Sequence, residues 1–178
     1  MKALKHFLTI THHRHLVMKG CFAVGLYKQG LLHDLSKYTF VEFSAGAKYY
    51  LGYKSPNYAE RMDKGVSLAW LHHKGRNKHH FEYWIDYSLN GDHRLVGMEM
   101  PVKYVVEMYC DRVAACKNYQ KEAYTDSSAL EYFNKGKGIL VMHPKTEALL
   151  ENMLVYLAEH GEKATNQYIR KEILHNKR

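Results

Sequence analysis

Apolar residues recur at intervals of three and four along this chain, and this spacing constrains the fold more than any other feature. In one segment it joins Leu16, Val17, Cys21, Val24 and Leu31, and strand-like alternation is nearly absent. A period near 3.6 residues buries one stripe of an α-helix and does not suit a half-buried strand. The sequence therefore predicts an all-α fold in which more than half of the residues are helical.

Prolines, glycines and asparagines divide the chain into predicted helices. A long helix is expected just after Pro101, and residues 88–100 are predicted to form a loop. The other predicted helices cover residues 16–31, 40–51, 56–73, 81–87, 127–133, 145–160 and 162–175.

The chain of 178 residues lies within the usual size range of one domain, and no repeat or low-complexity linker interrupts it. We predict a single domain over residues 1–178, with the functional residues in about 10–120 and further helices over 127–178. Leu149, Leu150, Met153, Leu154 and Leu157 give those last helices considerable apolar surface. They are expected either to pack on the site-bearing part or to pair with another copy of the chain.

The cysteines and the hydropathy pattern favour a cytoplasmic protein. Cys21, Cys110 and Cys116 are an odd number without CxxC spacing, which argues against a disulfide framework and a zinc knuckle. No apolar run is long enough to cross a bilayer, so neither secretion nor a membrane partner is expected.

The formal net charge of +8 would suit an anionic partner such as a nucleotide or a small phosphorylated metabolite. Much of the excess lies at the two ends of the chain, including Lys177 and Arg178, where charge usually serves solubility. Nucleic acid is therefore not the expected partner.

Histidines and carboxylates meet in several short segments. Imidazole nitrogens and carboxylate oxygens are the natural ligands of divalent zinc, iron and manganese, and a carboxylate beside a histidine can bridge two ions. Each segment alone is a weak signal, but together they predict a metal site for one or two divalent ions, which could be manganese, iron, zinc, nickel or cobalt. The segments are His13-Arg14-His15, Leu31 to Lys37, His72-His73, His79-His80 and Tyr109 to Arg112.

The order His, His-Asp, His, His, Asp resembles the HD-domain superfamily of metal-dependent phosphohydrolases, in which this order defines the site. The strings His33-Asp34-Leu35-Ser36-Lys37, Glu42-Phe43, Asn77-Lys78-His79-His80 and Glu107-Met108 are also similar to a small bacterial HD-like family of unknown function. The resemblance extends from about His13 to about Ala115, and it implies an HD-like helical bundle.

The resemblance also implies a ligand set. His13, His33, Asp34 and Asp111 would hold the primary ion, with His15 as an alternative to His13. His73 and one of the pair His79 and His80 would hold a second ion. Only one of this pair is expected to bind, because adjacent side chains on a helix project about 100° apart. We favour His80 and expect His79 at the mouth of the pocket near Arg76.

Asp34, Lys37 and Glu107 are the expected catalytic residues, with Glu42 and Glu82 as alternatives to Glu107 for a general base or an orienting group. Lys37, Arg76 and His79 are candidates for contacting a substrate phosphate. The expected activity is metal-dependent phosphohydrolysis of a nucleotide or small phosphorylated metabolite by a metal-activated water. The alternatives are an HD-type di-iron oxygenase and a non-catalytic metal-binding or regulatory protein.

Overall fold

The computed structural model describes residues 1–175, so Lys177 and Arg178 lie outside the described residues. Helices dominate the described part of the chain, which confirms the predicted all-α fold. The α-helices are α1 (Lys2–Ala23), α2 (Tyr27–Leu32), α3 (Phe40–Lys48), α4 (Pro56–Lys64), α5 (Leu68–Lys74), α6 (Val102–Gln120), α7 (Ser128–Asn134) and α8 (Pro144–Tyr168). Short 3-10 segments cover Leu35–Tyr38, Phe81–Trp84 and Lys121–Ala123, and a π-helical segment, Ile169–Leu174, follows α8.

The core lies along α6, which packs against α1 on one side and against α7 and α8 on the other. Val17 and Cys21 of α1 and Val105 and Val106 of α6 are buried in it. In each helix these residues belong to the buried face, and full burial of one such side chain contributes about 1.5–3 kcal/mol to stability. The helices α2 and α3 pack on α1, so the first three helices form one side of the bundle.

The first predicted helix differs from the structure at both ends. Helix α1 begins at Lys2, and it ends at Ala23 because Gly25 turns the chain with φ +89°. A new helix, α2, then starts at Tyr27. A positive φ is accessible to glycine at little cost, which makes Gly25 an effective break.

The single helix predicted over residues 56–73 is two helices. Gly65, with φ +73°, ends α4, and the Ser67 side chain accepts a hydrogen bond from the Trp70 backbone at the start of α5. A left-handed glycine followed by a serine N-cap is a usual way to end one helix and begin another. The break changes the direction of the chain, so that α5 packs on α3 and His73, near its end, contacts Glu42.

The helix predicted over residues 81–87 and the loop predicted over 88–100 are partly wrong. A 3-10 turn is followed by β1 (Ile85–Tyr87), which pairs antiparallel with β2 (Leu95–Gly97), and Asp86 lies opposite Val96. Ile85 and Tyr87 favour extended backbone, and Gly91 allows the connecting turn.

The C-terminal helix forms as predicted, with a break at Gly161, whose φ of 77° and ψ of 168° are not helical. Pro144 begins α8, and the buried stripe of α8 includes Leu150, Met153, Leu154 and Leu157. This stripe packs against α6 and α7. Within residues 1–175, no helix is both long and apolar enough to cross a membrane.

Candidate metal centre

A tight turn after α2 positions His33 and Asp34. Asp34 has left-handed backbone, with φ 53° and ψ 28°, which aspartate adopts more readily than most residues. On a continuous helix the two side chains would diverge, whereas this turn directs both into the interior, where both are buried. Arg14 of α1 supports the turn by donating to the carbonyl oxygens of His33 at 2.8 Å and Leu31 at 3.1 Å.

One group of potential ligands combines side chains from α1, the turn and α6. Nε2 of His13 lies 2.9 Å from Oδ1 of Asp111, and Nε2 of His33 lies 3.2 Å from Oδ2 of Asp34. One ligand atom from each of these four residues lies within 4.8 Å of the others. Ligands at 2.0–2.2 Å from one ion are at most about 4.4 Å apart, so the group is within a few tenths of an ångström of coordination geometry.

A second group adjoins the first and shares Asp34. Its other members are His73, His79 and His80, again with ligand atoms within 4.8 Å of one another. Oδ1 of Asp34 lies 3.2 Å from Nε2 of His73 and 3.4 Å from Nε2 of His79, whereas Oδ2 faces His33. Asp34 therefore offers one oxygen to each group, which is the geometry that a bridging carboxylate requires.

Two buried glutamates contact the far ring nitrogens of these histidines. Oε1 of Glu107 lies 2.9 Å from Nδ1 of His33 and 3.1 Å from Nδ1 of His79, and Oε2 of Glu42 lies 2.7 Å from Nδ1 of His73. Because an ionised carboxylate only accepts, each Nδ1 carries a hydrogen, and in the neutral form of the ring each Nε2 keeps its lone pair. All three lone pairs then point at the shared cluster.

Most of the inward-facing atoms make no hydrogen bond, although they are fully buried. A buried polar atom without a partner costs free energy, and such atoms are rare in folded proteins. Since imidazole nitrogens and carboxylate oxygens are the donors that divalent ions take, the cluster fits a divalent metal. The atoms without a hydrogen bond are Nε2 of His13, His33, His79 and His80 and both carboxylate oxygens of Asp34. Two of them have a close ion-pair neighbour, since Nε2 of His13 lies 2.9 Å from Asp111 and Oδ2 of Asp34 lies 2.6 Å from Lys37.

Electrostatics within the cluster favour a bound cation. Burial opposes ionisation of Asp34, but the charges of His33 and Lys37 outweigh it and hold the pKa of Asp34 well below its usual range. Against the same effect of burial, His13 and His33 hold the pKa of Asp111 well below its usual range. Burial would lower the pKa of His33, yet the nearby carboxylates raise it well above its usual range. The potential that draws a proton to His33 also attracts a metal ion.

Two other histidines of the cluster are held neutral. Burial lowers the pKa of His13, and the charge of Lys37 adds to this effect. Burial also lowers the pKa of His80, reinforced by His79 and His73. A neutral imidazole is the form that binds a metal.

The three histidines near the middle of α1 face different ways. His13 lies on the buried stripe between Ile10 and Val17, whereas His12 and His15 are exposed. The stripe therefore decides between His13 and His15, because only His13 points at Asp34 and Asp111.

The expectations for His79 and His80 need correction. His79 is buried and contacts Glu107, so it does not lie at the mouth near Arg76. Both histidines, and not one of them, direct Nε2 into the cluster. The backbone at this point is irregular, with a turn from Asn77 to His80 and extended backbone at His80, so the 100° argument for a helix does not apply.

The candidates for contacting substrate are placed differently from one another. Nζ of Lys37 lies 2.6 Å from Oδ2 of Asp34, and its side chain is 27% exposed, so it stands at the edge of the cluster. Arg76 is exposed, and its side chain donates to the carbonyl of His72 and not to an inward-facing atom of the ligand groups. Glu82 is half-buried, and its interactions are with Lys74 and other basic residues instead of the ligand histidines.

Sequence reasoning did not identify the roles that Arg14, Ser36 and Asn77 have in building the site. Arg14 holds the turn from α1. Asn77 Nδ2 donates to Ser36 Oγ and to the carbonyl of His73, at 2.8 Å each, and so links the turn to the end of α5. In the sequence, Asn77 indicates only the end of a helix. Its position four residues after His73 is the one sequence feature that indicates its role in linking the turn to α5.

The family described as "Family of unknown function (DUF5662)" matches residues 2–155, which include both ligand groups. No curated protein and no solved structure matches the chain.

Proposed function

The chain belongs to the family of unknown function DUF5662, and we propose that it is a metal-dependent phosphohydrolase acting on a nucleotide or small phosphorylated metabolite. The observation that carries the proposal is the convergence of buried Nε2 and carboxylate atoms around Asp34, most of which make no hydrogen bond. The order of these ligands along the chain also supports placing the bundle in the HD-domain superfamily.

Two sets of side chains would hold the metal. His13, His33, Asp34 and Asp111 would bind one ion, and Asp34, His73, His79 and His80 would bind another. A divalent ion at such a site lowers the pKa of a coordinated water toward neutrality and polarises a phosphoryl oxygen, so no protein nucleophile is needed.

Glu107 and Glu42 serve as positioning residues in this proposal. Each accepts from the Nδ1–H of ligand histidines, which fixes the rings and their tautomer before an ion binds. Glu107 makes these contacts with its carboxylate Oε1 and is therefore an orienting residue and not the general base.

Lys37 is the residue best placed to contact substrate. Its ammonium group lies at the edge of the cluster, and Asp34 holds it charged by raising its pKa against the effect of burial. A cation at that position would pair with a phosphate oxygen. Asp111, with 17% of its side chain exposed, marks the same open edge.

A di-iron oxygenase is the second candidate. It is favoured by the carboxylate shared between two ligand groups and by the three imidazoles of the second group, which suit iron. Two irons with visible absorption would support oxygen chemistry, whereas manganese, zinc, nickel or cobalt would support hydrolysis.

Elemental analysis of the purified protein, followed by a screen of generic phosphoesters and nucleotides with added manganese, nickel or cobalt, tests the proposal. We expect bound divalent metal and turnover of at least one phosphoester. His80→Ala should reduce turnover severely and leave the ion at His33 and Asp34 bound, whereas Asp92→Ala, on the exposed hairpin loop, should change neither. Full metal content without turnover across the panel would contradict hydrolysis and favour a non-catalytic metal-binding protein.

A further inference from the structure

The turn that carries His33 and Asp34 has an inverted pattern of burial. Its polar residues are buried, whereas its leucines face solvent, with Leu31 at 56% and Leu35 at 47% exposed. Apolar side chains at such positions usually supply the core, and exposing several together is unfavourable in water. Contiguous exposed apolar surface usually marks an interaction site.

Exposed apolar residues of α1 continue this surface. The rings of Phe7 and Tyr38 are in edge contact at 5.8 Å, and Arg14 bonds to the carbonyl of Leu31, so the turn segment runs alongside the N-terminal half of α1. Phe40, at the start of α3, is 87% exposed. We call the resulting surface the apolar face and define it by Leu4, Phe7, Leu8, Leu31, Leu35 and Phe40.

The part of the chain that carries the apolar face, residues 1–59, exposes charge of one sign only. Asp34 and Glu42 are the only acidic residues among positions 1–59, and both are buried. The first three helices and their connections therefore present no exposed carboxylate. Their basic residues are Lys2, Lys5, Arg14, Lys19, Lys28, Lys37, Lys48 and Lys54, of which all but Arg14 and Lys37 are exposed.

We propose that the apolar face docks peripherally on an anionic lipid bilayer. Leucine and phenylalanine side chains would enter the boundary between headgroups and acyl chains, while the surrounding lysines would meet anionic headgroups. The proposal concerns a contact on the membrane surface, not a membrane span, and it replaces the expectation from the hydropathy pattern that the protein has no membrane partner. It rests on the outer side of the turn and is independent of the metal-dependent function.

The same charges argue against two other occupants. A two-fold contact between copies through this face would bring two identical, lysine-bearing surfaces together, and their charges would repel each other. Nucleic acid would meet the lysines but would gain little from the four leucines of the face, because bases stack on aromatic rings and arginine planes, and only Phe7 and Phe40 offer such rings there.

Co-sedimentation of the full chain with vesicles tests the proposal. We expect binding to vesicles of phosphatidylcholine with about one-third phosphatidylglycerol. We expect little binding to pure phosphatidylcholine, and loss of binding at about 0.5 M NaCl, because salt screens the headgroup attraction. Lys5→Glu/Lys28→Glu should weaken binding about tenfold or more, and Leu8→Ser/Phe40→Ser should weaken it similarly. All four positions are exposed, so these variants should fold, as circular dichroism can show.

Matched variants on other surfaces are the controls. Lys135→Glu/Lys163→Glu changes the net charge by the same amount as Lys5→Glu/Lys28→Glu. Leu89→Ser/Ile139→Ser replaces two exposed apolar side chains that lie outside residues 1–59. Both should bind like the unaltered protein. The proposal would be overturned if the protein did not bind anionic vesicles at low salt, or if the test and control variants lost binding equally. Tighter binding to an oligonucleotide, or self-association through this face, would also overturn it.

Discussion

Asp34 is the residue on which both ligand groups depend, because each of its carboxylate oxygens faces a different set of imidazoles. Asp34→Ala should therefore reduce bound metal to below about a tenth of the unaltered content, measured by elemental analysis after gel filtration. Asp92→Ala, which removes an exposed carboxylate paired with Arg94, is the matched control. Full metal content in Asp34→Ala would mean that the histidines from His72 to His80 bind the ion without it.

Glu107 allows a test of how the ligand histidines are oriented, because it contacts the far ring nitrogens of His33 and His79. Glu107→Gln keeps the shape of the side chain but replaces a charged acceptor by an amide. We expect metal affinity to fall by about tenfold to a hundredfold, as measured by competition with a chelator. Glu82→Gln, at a half-buried glutamate away from the ligand histidines, should have little effect. Equal affinities for the two variants would exclude the orienting role.

The sequence could predict which residue types form the site, but not all of their placements. The spacing of His13, His33, Asp34 and Asp111 is visible because each lies in a short, recognisable string. The placement of His79 was wrong because it assumed helical backbone, whereas the Asn77 turn directs adjacent histidines to the same point. A turn of this kind depends on tertiary hydrogen bonds, such as that from Asn77 to Ser36, and these have no local pattern.

At the scale of elements, the contact between α1 and α3 is close at Gly46. A Cβ added there would lie 2.1 Å from Nε2 of His6, whose ring also packs against Phe43 and Tyr50. Although alanine usually favours a helix over glycine by about 1 kcal/mol, Gly46→Ala should destabilise the protein by about 1–3 kcal/mol. Urea unfolding would measure the change.

A double-mutant cycle separates this steric effect from helix propensity. In a His6→Ala background the cost of Gly46→Ala should disappear, because the clashing ring is gone. Gly20→Ala is the control within α1, since its added Cβ would lie at an ordinary 3.5 Å from Cys110. A Gly46→Ala protein as stable as the unaltered one would show that His6 can move aside freely.

The elements predicted best are those with long, strongly periodic stripes. Helices α6 and α8 follow from apolar spacing after a proline, and Gly161 marks the break in α8. The break between α4 and α5 was missed because the apolar spacing runs through it, although Gly65 and Ser67 supply a stop and a cap. Periodicity reports which face is buried, and it does not report whether the backbone stays continuous along that face.

At the scale of the whole molecule, the ligand groups join parts of the chain that are distant in sequence. His13 belongs to α1, Asp34 to the turn after α2, His73 to α5 and Asp111 to α6. The pair His13 with Asp111 therefore connects α1 and α6, which the hydrophobic core also joins. The pair His73 with Asp34 connects α5 to the turn, and neither of these contributes to that core cluster. An ion bound between them would add a second set of links, and these links would be absent in the unfolded chain.

Metal removal should therefore lower the thermal stability of the whole fold. A ligand that binds only the folded state stabilises it by about 2.7 kcal/mol at a hundred times its Kd, which corresponds to about 5–10 °C in Tm for a chain of this size. We expect calorimetry to show a fall of this order when a chelator is added and a recovery when the same ion is restored. In Asp34→Ala the chelator should change Tm little, because no bound ion remains to be removed. An unaltered protein whose Tm is insensitive to both chelator and added ion would show that the buried cluster does not couple metal binding to folding.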